Sequence, residues 1–194
     1  MTQGINGGVP LIGILTSQAA SGTKFASYTT AKTVINAASV ITLPPNFLYA
    51  GHVLRINALL GISNVVTAQP TFTFQIMVGA VIAWTSGAVL TSTTAHTDIP
   101  TDLTILLRVA SVGAGTSGTL LGHGRIAGRP WIASGATADF AQGFGGLVLP
   151  ITAPAAGTGY DSTVSNTLDF FVGLSASDAG NAVQVFNYVI EDLN

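Results

Sequence analysis

The chain contains no cysteine. Structural disulfides, thiolate zinc sites and cysteine nucleophiles are excluded together. Charge is scarce too. Only 7% of residues are Asp, Glu, Lys or Arg, against about 25% in an ordinary soluble domain. Six Lys and Arg against eight Asp and Glu leave a formal net charge of −2. A basic patch of the kind that draws a protein to nucleic acid cannot be built from so few cations, so no nucleic-acid partner is expected. No apolar run reaches the ~20 residues of a membrane-spanning helix. The longest are cut by Arg55, Asn57, Gln75 or Arg108. The opening segment, MTQGINGGVPLIGILTSQAA, has no Lys or Arg before its short apolar run, Val9 to Leu15, and does not read as a signal peptide. Aromatic residues make up 8% and are scattered, without the girdles of a transmembrane β-barrel. No membrane partner is expected either.

What is present is apolar. Hydrophobic residues reach 48% of 194, and the mean hydropathy is +0.57. That length supports one domain with a sizeable core. A small monomer usually carries more surface charge than this to stay dispersed. The balance therefore predicts a chain whose surface is largely buried against other protein chains.

Helical periodicity is almost missing, whereas strands are easy to find. PTFTFQIMVGA sets Phe72, Phe74, Ile76 and Val78 on one face and Thr71, Thr73, Gln75 and Met77 on the other. A period of two is the mark of a half-buried strand. Leu103, Ile105, Leu107 and Val109 alternate in the same way in TDLTILLRVASV. Further strands are expected in VITLPP, HVLRINALLGIS, AVIAWTSGAVL (one or two short strands, with Ser86-Gly87 as a break), GTLLGHGRIAGR, GLVLPI, NTLDFFVGLSAS and NAVQVFNYVIEDL. In the last of these, Val183, Val185, Asn187 and Val189 oppose Gln184, Phe186, Tyr188 and Ile190. The one plausible helical turn is PNFLYAGH, Pro45 to His52. Gly, Ser, Thr, Ala and Pro clusters separate the strands, as in a sandwich or barrel. The expectation is an all-β, antiparallel, jelly-roll-like sandwich over 23–194. It is preceded by a Gly-rich extended arm over 1–22 that lies outside the core.

A literal G-x-G-x-x-G occurs at Gly113, Gly115 and Gly118. In a dinucleotide fingerprint the last glycine opens a helix whose N-terminus meets the pyrophosphate. Here TLLGHGRIAGRPW follows, with glycines at 122, 124 and 128 and then Pro130. Each glycine costs a helix about 1 kcal/mol. The better reading is a hairpin: a strand to Val112, a turn through GAGTSG and a strand from Thr119. No cofactor is expected.

Other chemistry is thin. The nucleophile-elbow pattern G-x-S-x-G does not occur, and His52, His96 and His123 lack the spacing of a local metal site. Each is read as a polar strand or loop residue. Asp98 and Asp102 lie in the Pro-broken HTDIPTDL, and are read as loop and strand-start residues. Trp84, Trp131, Phe140, Phe144 and Tyr160 could line a sugar platform, but their spacing has no pattern and favours packing. Arg55, Arg108 and Arg125 sit mid-strand among apolar neighbours, as does Asp169. A buried Arg needs a carboxylate or carbonyls. Asp169 is therefore a candidate ion-pair partner for one of the three arginines, within a subunit or across an interface, the alternative being that all four face solvent from an outer sheet face.

Three stretches together give a resemblance: VITLPPNFLYAGHVLRINALLGIS, the hairpin LTILLRVASVGAGTSGTLLGHGRI, and the closing NTLDFFVGLSASDAGNAVQVFNYVIEDLN. With PTFTFQIMVG they run from Val40 to Asn194, in a pattern spread over residues ~24 to 194 that is similar to small β-rich structural proteins of tailed bacteriophages. That resemblance implies a virion protein, assembled in the bacterial cytoplasm. It would trimerise and bind the major capsid protein or another virion protein, decorating or cementing the head, with an N-terminal arm reaching a neighbour. One alternative is a tail or fibre head whose loops, such as 135–165, bind a host glycan. The other is a carbohydrate-active enzyme, which would need two acidic groups flanking a cleft. The eight acidic residues lie mostly near turns and the C-terminus, so the chain is read as non-enzymatic.

Overall fold

The computed structural model describes residues 13–131 and 146–194. The regular structure of these residues is almost wholly strand: β1 (Gly13–Ser17), β2 (Phe25–Ala26), β3 (Lys32–Thr33), β4 (Ile41–Leu43), β5 (Val53–Asn64), β6 (Thr71–Val78), β7 (Val81–Leu90), β8 (His96–Ser111), β9 (Thr119–Ala127), β10 (Leu147–Leu149), β11 (Asn166–Leu174) and β12 (Ala182–Asp192). All pairings are antiparallel. The large sheet has seven strands in the order β1-β12-β5-β8-β9-β10, with β2 also on β12. The small sheet has five, β3-β11-β6-β7, with β4 also on β11. The chain crosses between the layers at β2 to β3, β4 to β5, β5 to β6, β7 to β8, β10 to β11 and β11 to β12. This nesting is jelly-roll-like, and the expected all-β sandwich is what the chain forms.

Alternation places the core. Leu54, Ile56, Leu60 and Ile62 of β5 face Phe72, Phe74 and Ile76 of β6 across the interior, all fully buried. Phe72 and Phe74 meet the Trp131 ring edge-on at 5.5 and 5.7 Å, while Phe74, Phe170 and Tyr188 stack in series at 6.2 and 5.9 Å. Such pairs add about 0.5–1.5 kcal/mol each beyond their burial.

The G-x-G-x-x-G segment is the β8–β9 hairpin, as the glycine-rich sequence after it requires. Gly113 and Gly115 hold φ of +151° and +68°, values that favour glycine. The loop is fastened by Ser162, whose Oγ accepts from Gly113 N at 2.8 Å.

Four details depart from the sequence reading. First, Pro45 to His52 forms no helix. Asn46 and Gly51 both take positive φ and turn the chain twice. The short 3-10 turn lies instead at Ala37–Ser39, where the Asn36 side chain accepts from Ala38 N at 3.0 Å. Second, β7 runs through Ser86-Gly87 as one strand with a bulge: Gly87 has φ +71°, and Ser86 Oγ accepts from Phe74 N and donates to Gly87 O. Third, β8 starts at His96 despite Pro100, because β9 reaches only to Asp102 and Pro100 has a neighbour strand on one side alone. Fourth, β12 changes face. A bulge between Val185 and Asn187 leaves Val183 and Val185 inward but then turns Tyr188 and Ile190 inward, with Asn187 and Val189 outward. The Phe186 ring lies over Gly61 of β5, where a Cβ would stand 2.6 Å from it.

Of the expected arm, residues 1–12 lie outside the described residues. Residues 13–17 are extended but belong to the large sheet as β1, its edge beside β12. Gln18 continues the attachment, donating from Nε2 to Val185 O at 2.9 Å.

Candidate functional site

The arginines and the sheets together divide the surface into two unlike sides. On the large sheet, residues opposite the buried rows of β5, β8, β9 and β12 point outward. Register sets Glu191, Arg55, Leu106 and His123 in one row, and Val189, Asn57, Thr104 and Arg125 in the next. Arg55 Nε donates to Glu191 Oε2 at 2.6 Å, and Asn57 Nδ2 donates to the same oxygen at 2.9 Å. Thr104 Oγ1 donates to Asn57 Oδ1 at 3.0 Å. The hydrogen bond from Arg55 holds the Glu191 carboxyl below its ordinary range. Arg108 and Arg125 also stand exposed on this face, as does Asp102. Between the strands lies an open groove of about 240 Å³, lined by Asn57, Leu59, Asp102, Thr104, Asn187 and Val189 among others.

Within one subunit Asp169 lies on a different sheet from Arg55, Arg108 and Arg125, and the three arginines take the outer-face alternative. Arg55, Arg108 and Arg125 share the outer face of the large sheet, and Arg55 pairs with Glu191, a residue of the acidic C-terminal end that the sequence does not single out. Asp169 is on the small sheet. Its Oδ1 accepts from Thr33 Oγ1 at 2.8 Å and from Phe170 N at 2.7 Å. Burial raises its pKa, more than these two hydrogen bonds lower it.

Among the described residues, the outer face of the small sheet holds no other charge. Register brings Thr33, Phe171, Gln75 and Thr85 into one row, Thr73 beside Ala88, and Met77 beside Ile82. Lys32 of β3 pairs with the inward-facing Val172, and its Nζ lies 5.0 and 4.2 Å from the ring centres of Phe25 and Tyr28. Along the β7 edge runs a strap, residues 151–160, that closes the gap to β9. Ile151 N donates to Ser86 O, Gly157 N to Leu120 O and Thr158 N to Ile82 O, at 2.9, 2.9 and 3.1 Å, and Tyr160 bridges to Gly118. The strap carries ITAPAA on its exposed side. A groove of about 340 Å³ separates it from Ile82, Trp84 and Thr85.

The histidines stay apart. His52 is buried, stacked on Tyr49 at 4.5 Å, with Nε2 2.8 Å from Asp192 Oδ1 and Nδ1 unpartnered. His96 Nδ1 lies 3.0 Å from Asn64 Oδ1, and His123 is exposed on β9. Among the described residues no group of three His, Asp or Glu could hold a metal. Asp98 belongs to β8, with φ +51°, and pairs with Lys24 at 2.6 Å; that lysine's hydrogen bond lowers its pKa. Trp84, Trp131 and Tyr160 are core residues, at most 3% exposed, and cannot form a sugar platform. Phe140 and Phe144 lie outside the described residues, as does 135–145 of the expected glycan loop. No helix among the described residues is long and apolar enough to cross a membrane. Compared with family models, with curated proteins and with solved structures, the chain matches none.

Proposed function

We propose that this chain is a virion structural subunit, a decoration or cement protein that binds the outside of a phage head as a trimer and stabilises it. The observation that carries the reading is the unequal surface: one sheet face holds Arg55, Arg108, Arg125, Asp102 and Glu191, and among the described residues the other holds no charge but the half-buried Asp169. A charge-poor face and an exposed apolar strap suit permanent contact with protein better than contact with water. Cementing would add buried area across capsomer boundaries, so that each bound trimer ties neighbours together.

Two measurements test it. Light scattering of the purified protein, at micromolar and tenfold lower concentration, is expected to give a trimer mass at both; a monomer overturns self-assembly. Antibodies against the purified chain are expected to label virions from the same source over the whole head. Absence of label from the particle overturns the virion role. A second reading, a tail or fibre head binding a host glycan, draws on the groove of the large sheet, whose Asn57, Asp102, Thr104 and Asn187 supply the hydrogen-bonding groups a saccharide needs. Label confined to the tail tip, with binding on a glycan array, would favour it.

A further inference from the structure

We propose that the outer face of the large sheet around Leu106 is a docking site for an acidic segment of a partner protein, one that carries Asp or Glu beside an apolar residue. The inference goes beyond the virion reading and does not depend on it: it identifies the partner's chemistry, not its source.

Register gathers the cations. Arg55 of β5 and His123 of β9 flank Leu106 directly. Arg108 is the next outward residue along β8, and Arg125 the next along β9. Opposite neighbours in a sheet stand about 5 Å apart at Cβ, and diagonal or next-but-one neighbours about 7 Å. These basic side chains therefore all lie within one step of Leu106, which is itself half-buried and forms an apolar centre. Three of the chain's six Lys and Arg stand in this region, against two of its eight Asp and Glu, Glu191 and Asp102. A chain of net charge −2 thus concentrates an excess of cations in one place.

Pairing within the region is uneven. Glu191 accepts from both Arg55 and Asn57. Arg108 is exposed, and its side chain has no ion-pair partner among the described residues. Its guanidinium offers two parallel donors in the planar fork that a carboxylate fits. Covering Arg108 with a carboxylate leaves neither ion unpaired, which is the condition for a charged contact to gain on leaving water. An apolar residue beside that carboxylate covers Leu106 in the same contact. A nucleic-acid strand fits less well. Its evenly spaced phosphates, laid across the cations, would also meet Glu191 and Asp102, and three arginines release few counterions.

The test uses the full chain and fluorescence anisotropy at low salt, with three labelled probes of equal length: poly-L-glutamate, poly-L-glutamine and single-stranded DNA. Poly-L-glutamate is expected to bind, more weakly as salt rises, and poly-L-glutamine not to bind. Arg108→Gln is expected to weaken poly-L-glutamate about fivefold, through loss of one exposed charge pair, and Arg108→Glu to weaken it further. Arg125→Gln is the second variant, expected to act in the same direction. Lys24→Ala removes a cation that pairs with Asp98, toward the other end of β8, and is expected to change little. Each variant is first checked for a melting point within a few degrees of wild type. If the wild-type chain does not bind poly-L-glutamate, the site is wrong. The same holds if Lys24→Ala weakens binding as much as Arg108→Gln, since net charge alone then explains it. If DNA binds more tightly than poly-L-glutamate and Arg108→Gln weakens both, the region reads phosphates and the protein partner is overturned.

Discussion

Gly157 provides a direct test of how the strap is docked. A Cβ at this position would stand 1.8 Å from Ala83 O and 2.4 Å from Ala83 C. Both are backbone atoms of β7, at a buried residue, so no rotamer change can make room. Gly157→Ala must therefore lift the strap. The nearest hydrogen bonds lost are Gly157 N to Leu120 O and Thr158 N to Ile82 O, at 2.9 and 3.1 Å. At about 1 kcal/mol each, with a similar amount for the cover taken from Trp84, the loss comes to about 3 kcal/mol. For a domain of this size that lowers Tm by about 6–12 °C. Gly115→Ala is the comparison. It has φ +68° but nothing within 4 Å of an added Cβ, so it bears only the left-handed backbone strain of about 1–2 kcal/mol. Calorimetry at one fixed protein concentration, needed because association raises apparent stability, should rank Gly157→Ala well below Gly115→Ala. Hydrogen exchange should show the Gly157 and Thr158 amides losing protection. A Gly157→Ala protein that melts with wild type, or above Gly115→Ala, would refute this placement of the strap.

The two carboxylates on opposite faces should respond to pH with opposite signs. Glu191 titrates below its unfolded value, so its pairing stabilises the fold at neutral pH and is lost as pH falls through the folded pKa. Glu191→Gln should lower Tm by a degree or two at pH 7, as a part-exposed pair contributes little, and the difference should vanish in acid. Asp169 titrates above its unfolded value, so its ionised form opposes folding and the penalty disappears as pH falls. Asp169→Asn keeps an acceptor for Thr33 and Phe170 N, and should raise Tm at pH 7 while matching wild type in acid; a lowered Tm at pH 7 would contradict the desolvation argument. Ser86→Ala removes the hydroxyl that accepts from Phe74 N at 2.9 Å in a buried setting, and should cost about 1–3 kcal/mol by denaturant titration. The Tyr188 hydroxyl is buried without a partner, so Tyr188→Phe should leave stability unchanged or raise it by about 1 kcal/mol.

Most strands were legible because the interior is apolar and the period is two: β6 and the central part of β8 fall where their alternation puts them. The hairpin between β8 and β9 was legible because its glycines, and those after it, leave no room for a helix. The partner of Arg55 was not. With unbroken alternation, Glu191 shares a face with Val183 and Val185, which point inward. The bulge beside Phe186 reverses the parity of everything after it and delivers Glu191 to the outer face, opposite Arg55. One inserted residue thus hid an ion pair, and no local pattern announces it; the glycine at 61, which leaves space for the Phe186 ring, is the only trace in the sequence. The sheet that holds Asp169 was illegible for a different reason. The flanking residues Leu168 and Phe170 show that Asp169 points outward but carry nothing about which of two sheets holds the strand.

Around Glu191 the outer face of the large sheet supplies its own partners. Arg55, Asn57, Thr104 and Glu191 satisfy one another in a chain of hydrogen bonds at 2.6 to 3.0 Å, so their charges need no external partner to be stable. The groove beside them keeps Asp102 and Asn187 exposed. The C-terminus is held at the rim of this sheet, with Leu193 N donating to Val53 O and Asp192 against the buried His52. A reporter fused there sits beside the large sheet and should therefore obstruct whatever binds in its groove, an effect read by comparing the tagged and untagged proteins on a glycan array.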